Sequence, residues 1–554
     1  MSANETHDVD TLNDSQTHSN PEKPVYEVEV QPQPQDSPAE EDDYPHGVKL
    51  ALLTLALCLS VFLVALDNTI IATAIPKITD QFHSLDDVGW YGSAYLLTTA
   101  ATQLLFGKFY TFLPIKWVYV AAITVFEIGS LLCGVAPNSD ALIVGRAIAG
   151  LGSAGIFSGA MIIVANTVPL TKRPMYTGLI GGMFGIASVA GPLMGGVFTD
   201  KVTWRWCFYI NLPIGAVTLA VVVFLFKMPR RGQVKAQSAT FAERVALFDP
   251  WGTLVFIPAI VCLLLALQWG GSKYPWKSGR IIALFVVFGV LIGIFIGIQL
   301  WKQDRATIPP RILKKRSIWS SALYAFCIGS AFFILSFYLP IWFQAIHGVS
   351  AVHSGIDNLP MILSLVLASL ISGALITVLG YYAPFMILSS VVAAVGTGLI
   401  STLKTNSSHT KWMPYEIVCG LGVGFGMQQP MLAAQAVLEL KDVPIGTSII
   451  MFSQTLGGAL FISIAQNVFT NKLVSGLVKS VPDVSPALVL SAGATSLKDA
   501  VAPQFLEAVL FVYNEALVAA FYVAIAMACL SLVGSLIVEW RNIKGKNVEM
   551  AMGA

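Results

Sequence analysis

Three ionisable side chains stand where charge is expensive. Asp67 lies about two-thirds along the apolar run that includes LVALDNTIIATAIP, Glu127 lies in FEIGSLLCG, and Arg146 opens GRAIAGLGSAGIFSGA. Such residues inside a bilayer mark function unless a structural pairing accounts for them. Burial disfavours an ionised carboxylate and a nearby cation favours it, a competition that suits Asp67 to taking up and releasing a proton. Glu127 is the rival carrier, and structural pairing is the alternative for both acids. Arg146 keeps its proton at ordinary pH, so it needs a partner, a wet cavity or an escape to the surface. Asn68 beside Asp67, then Gln428, Gln429, Gln435 and Gln454, are candidates to line a substrate cavity. Glutamines also bind helices together, which is the competing reading for each. Asp357 falls at the start of its run and reads as interfacial.

Small residues come next. GLIGGMFGIASVAGPLMGG pairs Gly178 with Gly182, Gly181 with Gly185 and Gly191 with Gly195 at i, i+4, and ends on Gly196. That spacing makes a nearly side-chain-free helix face on which another helix can sit or slide. Pro192 removes a backbone hydrogen bond and should kink the helix. Gly150–Gly155 fits the GxGxxG dinucleotide pattern, but no strand precedes it and it sits within an apolar run, so it reads as close packing. WRWCFYINLPIG, Trp204 to Gly215, reads by itself as an aromatic interface anchor with Arg205 beside it.

The elements that must position these residues are membrane helices. Hydrophobic residues make up 55% of the 554 residues and charged ones 12%, and mean hydropathy is +0.71, whereas soluble domains carry about 25% charge. The fold class is therefore an all-α integral membrane protein, since only helices satisfy their own backbone in lipid here. Runs of about 20 apolar residues predict fourteen spans: 48–74, 88–110, 116–136, 140–167, 175–199, 206–227, 250–270, 280–301, 318–345, 355–379, 383–403, 413–438, 445–472 and 514–538. Residues 1–46 form an acidic segment too polar to bury a core and without a signal-peptide pattern. The organisation that follows is a tail at 1–46, a six-helix bundle at 47–230, two additional helices at 231–305, helices 9–13 of a second bundle at 306–474, a loop at 475–512, the last helix at 513–540 and a tail at 541–554. Of the 33 Lys and Arg residues, 21 fall on the side of the termini and 11 on the other, which places both termini in the cytoplasm. Asn406-Ser407-Ser408 is then a glycosylation sequon on the outer side. The seven cysteines fall in or beside apolar runs and read as small core residues.

The chain echoes itself. Gly150-Leu151-Gly152 precedes Met183-Phe184 by an interval of 33 residues, and Gly420-Leu421-Gly422 precedes Met451-Phe452 by 31. Two related bundles with two extra helices between them would produce this, and internal repeats are common in transporters.

These segments resemble the major facilitator superfamily, in particular its fourteen-span drug:proton antiporters and the fungal toxin-efflux pumps among them. The resemblance covers roughly residues 48–545. It rests on LDNTIIATAIP, RAIAGLGSAG, the antiporter-like GPLMGG and, most specifically, WRWCFYINLPIG. It implies two bundles that alternate access to a central cavity, with a proton entering as the substrate leaves. One departure stands out. In GKFYTFLPIKW, Gly107, Lys108 and Lys116 match the family's loop motif, but Thr111 stands about where its Asp would be, which weakens the expected charge latch.

The expected function is proton-coupled export of amphipathic small organic molecules such as toxins, drugs or secondary metabolites. The partners are the substrate, protons and the bilayer, with a monomer expected. A fourteen-span importer of siderophores or basic amino acids, and a non-transporting receptor or scaffold, are the alternatives. The buried charges, the glycine face and the bundle echo favour transport. No metal-spaced cluster, nucleophile motif or phosphate loop points to an enzyme, a cofactor or ATP, and the near-zero net charge of +1 argues against nucleic acid. The plasma membrane is the expected location, with the vacuolar membrane as the alternative.

Overall fold

The computed structural model describes residues 44–84, 87–226, 247–271, 273–492 and 497–544. The chain divides into Met1–Glu41 and Asp42–Ala554, and every described residue belongs to the second unit. Most of the acidic segment 1–46 and the basic stretch from Lys227 to Arg244 lie outside the described residues.

Among the described residues fourteen long helices form: α1 (Val48–Phe82), α2 (Val88–Phe112), α3 (Ile115–Val135), α4 (Ser139–Thr167), α5 (Arg173–Lys201), α6 (Asn211–Leu225), α7 (Pro250–Trp269), α8 (Gly279–Lys302), α9 (Arg316–Trp342), α10 (Leu359–Leu379), α11 (Ala383–Ile400), α12 (His409–Gly426), α13 (Val443–Ser480) and α14 (Pro503–Ile537). Thirteen spans among the described residues are long and apolar enough to cross a membrane. The exception is α2, whose polar and aromatic residues lower its hydropathy. It has 25 residues, about 37 Å of helix, and packs against α4, α7 and α13. Among the described residues the only extended pairings are two isolated bridges.

Several predicted spans are divided or extended. The sixth run breaks at Ile210 into Trp206–Tyr209 and α6, and the tenth breaks at Asn358 into Ala351–Asp357 and α10. The twelfth breaks at Met427-Gln428, after which Gln429–Val437 is a separate helix, and α9 continues as a π turn over Phe343–His347. Helix α5 is continuous through Pro192. The predicted loop at 475–512 is largely helical: α13 runs to Ser480, α14 starts at Pro503, and short helices cover Pro486–Ala492 and Leu497–Ala500. The added turns of α13 and α14 continue existing helices at little nucleation cost.

We call the end of the bundle where α1 begins the near end and the opposite end the far end. Helices α1–α6 pack among themselves, as do α9–α14, and α7 pairs with α8. Two seams join the six-helix groups, α5 with α10 and α2 with α13. Small residues permit both. A Cβ at Gly107 would lie 2.7 Å from Ser448 Oγ, and one at Gly178 would lie 2.7 Å from Ser369 O.

Polar contacts at the near end reinforce the second seam. Asp249 caps α7 by accepting from the Gly252 amide at 3.0 Å, and it also accepts from Gln299 at 3.0 Å, from Thr307 N and Oγ1 at 3.0 and 2.9 Å, and from Lys302 Nζ at 2.9 Å. Burial alone would raise this carboxyl, but these hydrogen bonds outweigh it and hold Asp249 below the usual carboxylate range. Next to it, Arg311 holds Asp442, just before α13, with two bonds of 2.7 and 3.0 Å.

The Arg311–Asp442 fork should couple energetically. Arg311→Ala and Asp442→Asn should each lower unfolding stability by about 1 kcal/mol, with the double variant little worse than either. The check is a double-mutant cycle on the detergent-solubilised protein. Fully additive losses would show that the two side chains act independently.

Candidate functional site

The site is built where α1, α3, α4 and α6 meet in the far half of the first six helices. Asn138 starts α4 by accepting from the Ala141 amide at 2.9 Å. Two turns later Arg146 points inward and is fully buried. Glycines let α4 come that close: a Cβ at Gly129 of α3 would lie 2.3 Å from Ala149 N, and one at Gly152 would lie 2.4 Å from Phe126 N.

Arg146 meets Asp67 of α1, also fully buried, with Nη1 to Oδ2 at 2.5 Å. The guanidinium also donates from Nε to Tyr91 O at 2.8 Å and lies over the Tyr95 ring, 4.4 Å from its centroid. The pairing settles the alternatives left open for Arg146: it is held by a carboxylate and aromatic residues within the protein. Asp67 Oδ1 accepts from Asn211 Nδ2 at 3.1 Å, and the same amide donates to Ser130 Oγ at 3.1 Å.

Ser130 stands one turn from Glu127 on α3. Among the described residues neither Glu127 oxygen has a hydrogen-bond partner, nor do Arg146 Nη2 and Asn211 Oδ1. Gly215 on α6 faces the Glu127 carboxylate, leaving no space for a side chain between them. The result is a bonded polar chain, Ser130–Asn211–Asp67–Arg146, with one ion pair, and beside it Glu127 as an acid without a partner among the described residues. The Asp67–Arg146 pair ties α1 to α4.

Asn211 corrects the sequence reading of WRWCFYINLPIG. In the aromatic part Arg205 lies over the buried Trp204 ring at 4.4 Å, and Trp204 Nε1 donates to Gln81 Oε1 at 2.8 Å. The break at Ile210, however, turns Asn211 into the charged core, where it is fully buried. Asn68 is half-buried and takes no part in this network.

The glycine face of α5 serves two neighbours. Cβ atoms at Gly191 and Gly195 would lie 2.2 Å from the Thr69 and Thr73 hydroxyls of α1, and the one at Gly195 also 2.7 Å from Ile70 O. Gly185 faces Val366 of α10, and Gly196 faces Val352 in the helix before it. The same helix therefore packs on α1, which carries Asp67, and on the second six-helix group.

The glutamine candidates lie apart from Asp67. Gln428, Gln429, Gln435 and Gln454 are all buried. Gln428 sits at the break in the twelfth run against Gly181, and Gln454 packs on Gly329 of α9. Gln429 donates to Ser372 Oγ at 3.3 Å and Phe425 O at 3.2 Å. Gln435 has no partner at either side-chain atom. Gln429 fits the helix-binding reading; the unpaired atoms of Gln435 and Gln428 Oε1 fit a polar lining.

The loop-motif residues have unexpected partners. Lys108 is fully buried and donates to Arg305 O at 3.4 Å, while Lys116 donates to Val223 O at 2.7 Å. Thr111 bonds its own helix at Gly107 O, 2.8 Å away. The near-end ion pairs instead run through Asp249–Lys302 and Arg311–Asp442, which the sequence reading missed. Asn406 is exposed in the turn before α12, as a sequon requires.

Gly195→Leu should leave the protein in the membrane but abolish export, because the added side chain must displace the α1 backbone at Ile70. The check is transport by cells carrying equal amounts of each protein, and normal export by the variant would contradict it.

Comparison with known proteins accords with this architecture. Residues 57–462 match the Major Facilitator Superfamily. The chain is 62% identical to the MFS-type efflux pump MFS1 of Arthroderma benhamiae, over 91% of this chain and 94% of that one. It is 53% identical to efflux pump roqT of Penicillium rubens, covering 94% and 97%. It is 51% identical to efflux pump aflT of Aspergillus parasiticus, covering 92% and 99%. Among solved structures, the human organic anion transporter MFSD10 aligns with a TM-score of 0.55 at 13% identity, covering 86% and 100%. The proton:xylose symporter XylE aligns with a TM-score of 0.56 at 12% identity, covering 88% and 94%. With helical groups joined along two seams, a buried ion pair and a family match over most of its length, the chain belongs to the Major Facilitator Superfamily.

Proposed function

We propose that this protein is a proton-coupled antiporter that exports amphipathic small organic molecules, such as toxins, drugs or secondary metabolites, by alternating access. The observation that carries the reading is the buried Asp67–Arg146 pair with the unpartnered Glu127 beside it. The names of the efflux-pump relatives support the direction of transport.

In this reading the ion pair ties α1 to α4 while Asp67 is ionised. Protonating Asp67 removes the attraction, and α1 is then freer to shift against the glycine face of α5. Glu127, whose carboxylate has no partner among the described residues, is the rival proton carrier beside it. The return conformation restores the pair and sends the proton to the cytoplasm. Substrate occupies the space between the six-helix groups, with Gln428 and Gln435 among its polar contacts. The protein works as a monomer in the plasma membrane with both termini cytoplasmic, as the Lys and Arg bias supports.

A gradient of about one pH unit is worth about 1.4 kcal/mol per proton, or about tenfold in substrate concentration. Asp67→Asn keeps the shape but cannot titrate, so it should lose that gain while retaining downhill exchange. Arg146→Ala should impair the same step, and Glu127→Gln should slow it. The check is accumulation of a panel of labelled compounds by cells with and without each protein, with the gradient collapsed as control. If Asp67→Asn still concentrates substrate and Glu127→Gln does not, the proton belongs on α3. Tags at both ends of the chain should stay inaccessible to an impermeant label in intact cells; labelling from outside would refute the orientation.

A further inference from the structure

We propose that Glu416 is a second proton-binding site, in the second six-helix group, at the position that Arg146 holds in the first. The inference rests on the proton-coupled reading above.

The correspondence is structural as well as sequential. Arg146 stands four residues before Gly150-Leu151-Gly152, and Glu416 stands four before Gly420-Leu421-Gly422. Gly150 packs on the second helix of its group, at Tyr95 and Thr98 of α2, and Gly420 does the same at Met361 and Ser364 of α10. Gly152 packs on the third helix, at Phe126 of α3, and Gly422 does so at Ala393 of α11. Gly129 receives Ala149, and Gly396 receives Cys419. Helices α4 and α12 are therefore equivalent, and Glu416 occupies the inward-facing place of Arg146.

The environment differs in charge. Glu416 is 0% exposed, and neither carboxylate oxygen has a hydrogen-bond partner of ordinary geometry. Among the described residues no cation pairs with it. The carboxylate lies against the first turn of α10 near Met361, and the charged neighbour on that side is another acid, Asp357. Helices α10 and α11 contain no ionisable residue themselves. The other titratable groups nearby are Cys419 and His409 on α12 and, beside Asp357, His347 at the end of α9 with Lys498. An acid so placed, without a counterion, gives up its charge by binding a proton.

The surroundings offer the proton a way out. One turn toward the far end, Trp412 Nε1 is buried without a partner, and so is Asn358 Oδ1 at the break before α10. Trp412 stacks on the exposed His409, with ring centroids 4.2 Å apart. The π turn at Phe343–His347 meets the same tryptophan through Phe343, with centroids 4.7 Å apart. A shift at either irregular segment would open Glu416 toward the far end and let the proton exchange.

The test uses full-length protein in lipid vesicles and infrared difference spectroscopy between about pH 5 and about pH 9. The probe is the proton itself. Wild type should show a carboxylic-acid C=O band that disappears reversibly as pH rises, Glu416→Gln should lack that band and keep the others, and Glu416→Asp should restore it at a shifted position. Identical bands in wild type and Glu416→Gln would overturn the proposal. So would a Glu416 band that persists across the whole range, which would make the acid a fixed structural group. The gradient-collapse control in the export assay separates the two readings. Export that ignores the gradient removes proton coupling itself, whereas gradient-driven export with an unchanged Glu416→Gln spectrum removes only this site.

Discussion

The structure depends on keeping a guanidinium and a carboxylate together where neither meets water. Removing one partner of a buried ion pair typically costs about 3–5 kcal/mol, because the other is left uncompensated. Arg146 and Asp67 are both 0% exposed. Helix α4 must therefore approach α3 closely enough to carry Arg146 inside, which the glycines at 129 and 152 allow. The break at Ile210 must turn Asn211 inward, because Asp67 Oδ1 would otherwise lack this donor. Tyr91 and Tyr95 supply a carbonyl and an aromatic face to the rest of the guanidinium.

That constraint also fixes how α1 is held by its neighbours. On one side it is held to α4 by the buried Asp67–Arg146 charge pair. On another it rests on Gly191 and Gly195 of α5, with little side chain to interlock. Because α5 also packs on α10, the helix that supports α1 also forms a seam between the six-helix groups. The other seam, between α2 and α13, is backed at the near end by the Asp249 cluster and the Arg311–Asp442 fork. The helices between the two groups thus help fasten one end, where the sequence lacks the acid expected at Thr111.

Much of this was legible in the sequence. Apolar runs located the spans, because the cost of unpaired backbone in lipid leaves helices as the only choice. Asp67, Arg146 and Glu127 stood out because charge in such runs is rare. What the sequence hid was partnership. Asn211 sits in an aromatic segment that looks interfacial, and only the turn at Ile210 sends it to Asp67. Asp249 and Asp442 are ordinary loop acids until the chain folds their cations beside them. Glu416 was within reach, since the echo that pairs Gly150 with Gly420 also pairs Arg146 with Glu416. The breaks at Asn358 and Met427-Gln428 are shorter than any hydropathy window.

If proton and substrate binding are coupled through the Asp67–Arg146 pair, binding of substrate must expel a proton. The direct measurement is proton release into weakly buffered solution when a compound identified by the transport panel binds to the purified full-length protein. The account predicts release from wild type and none from Asp67→Asn at equal substrate occupancy. Equal release from both proteins would place the coupling elsewhere.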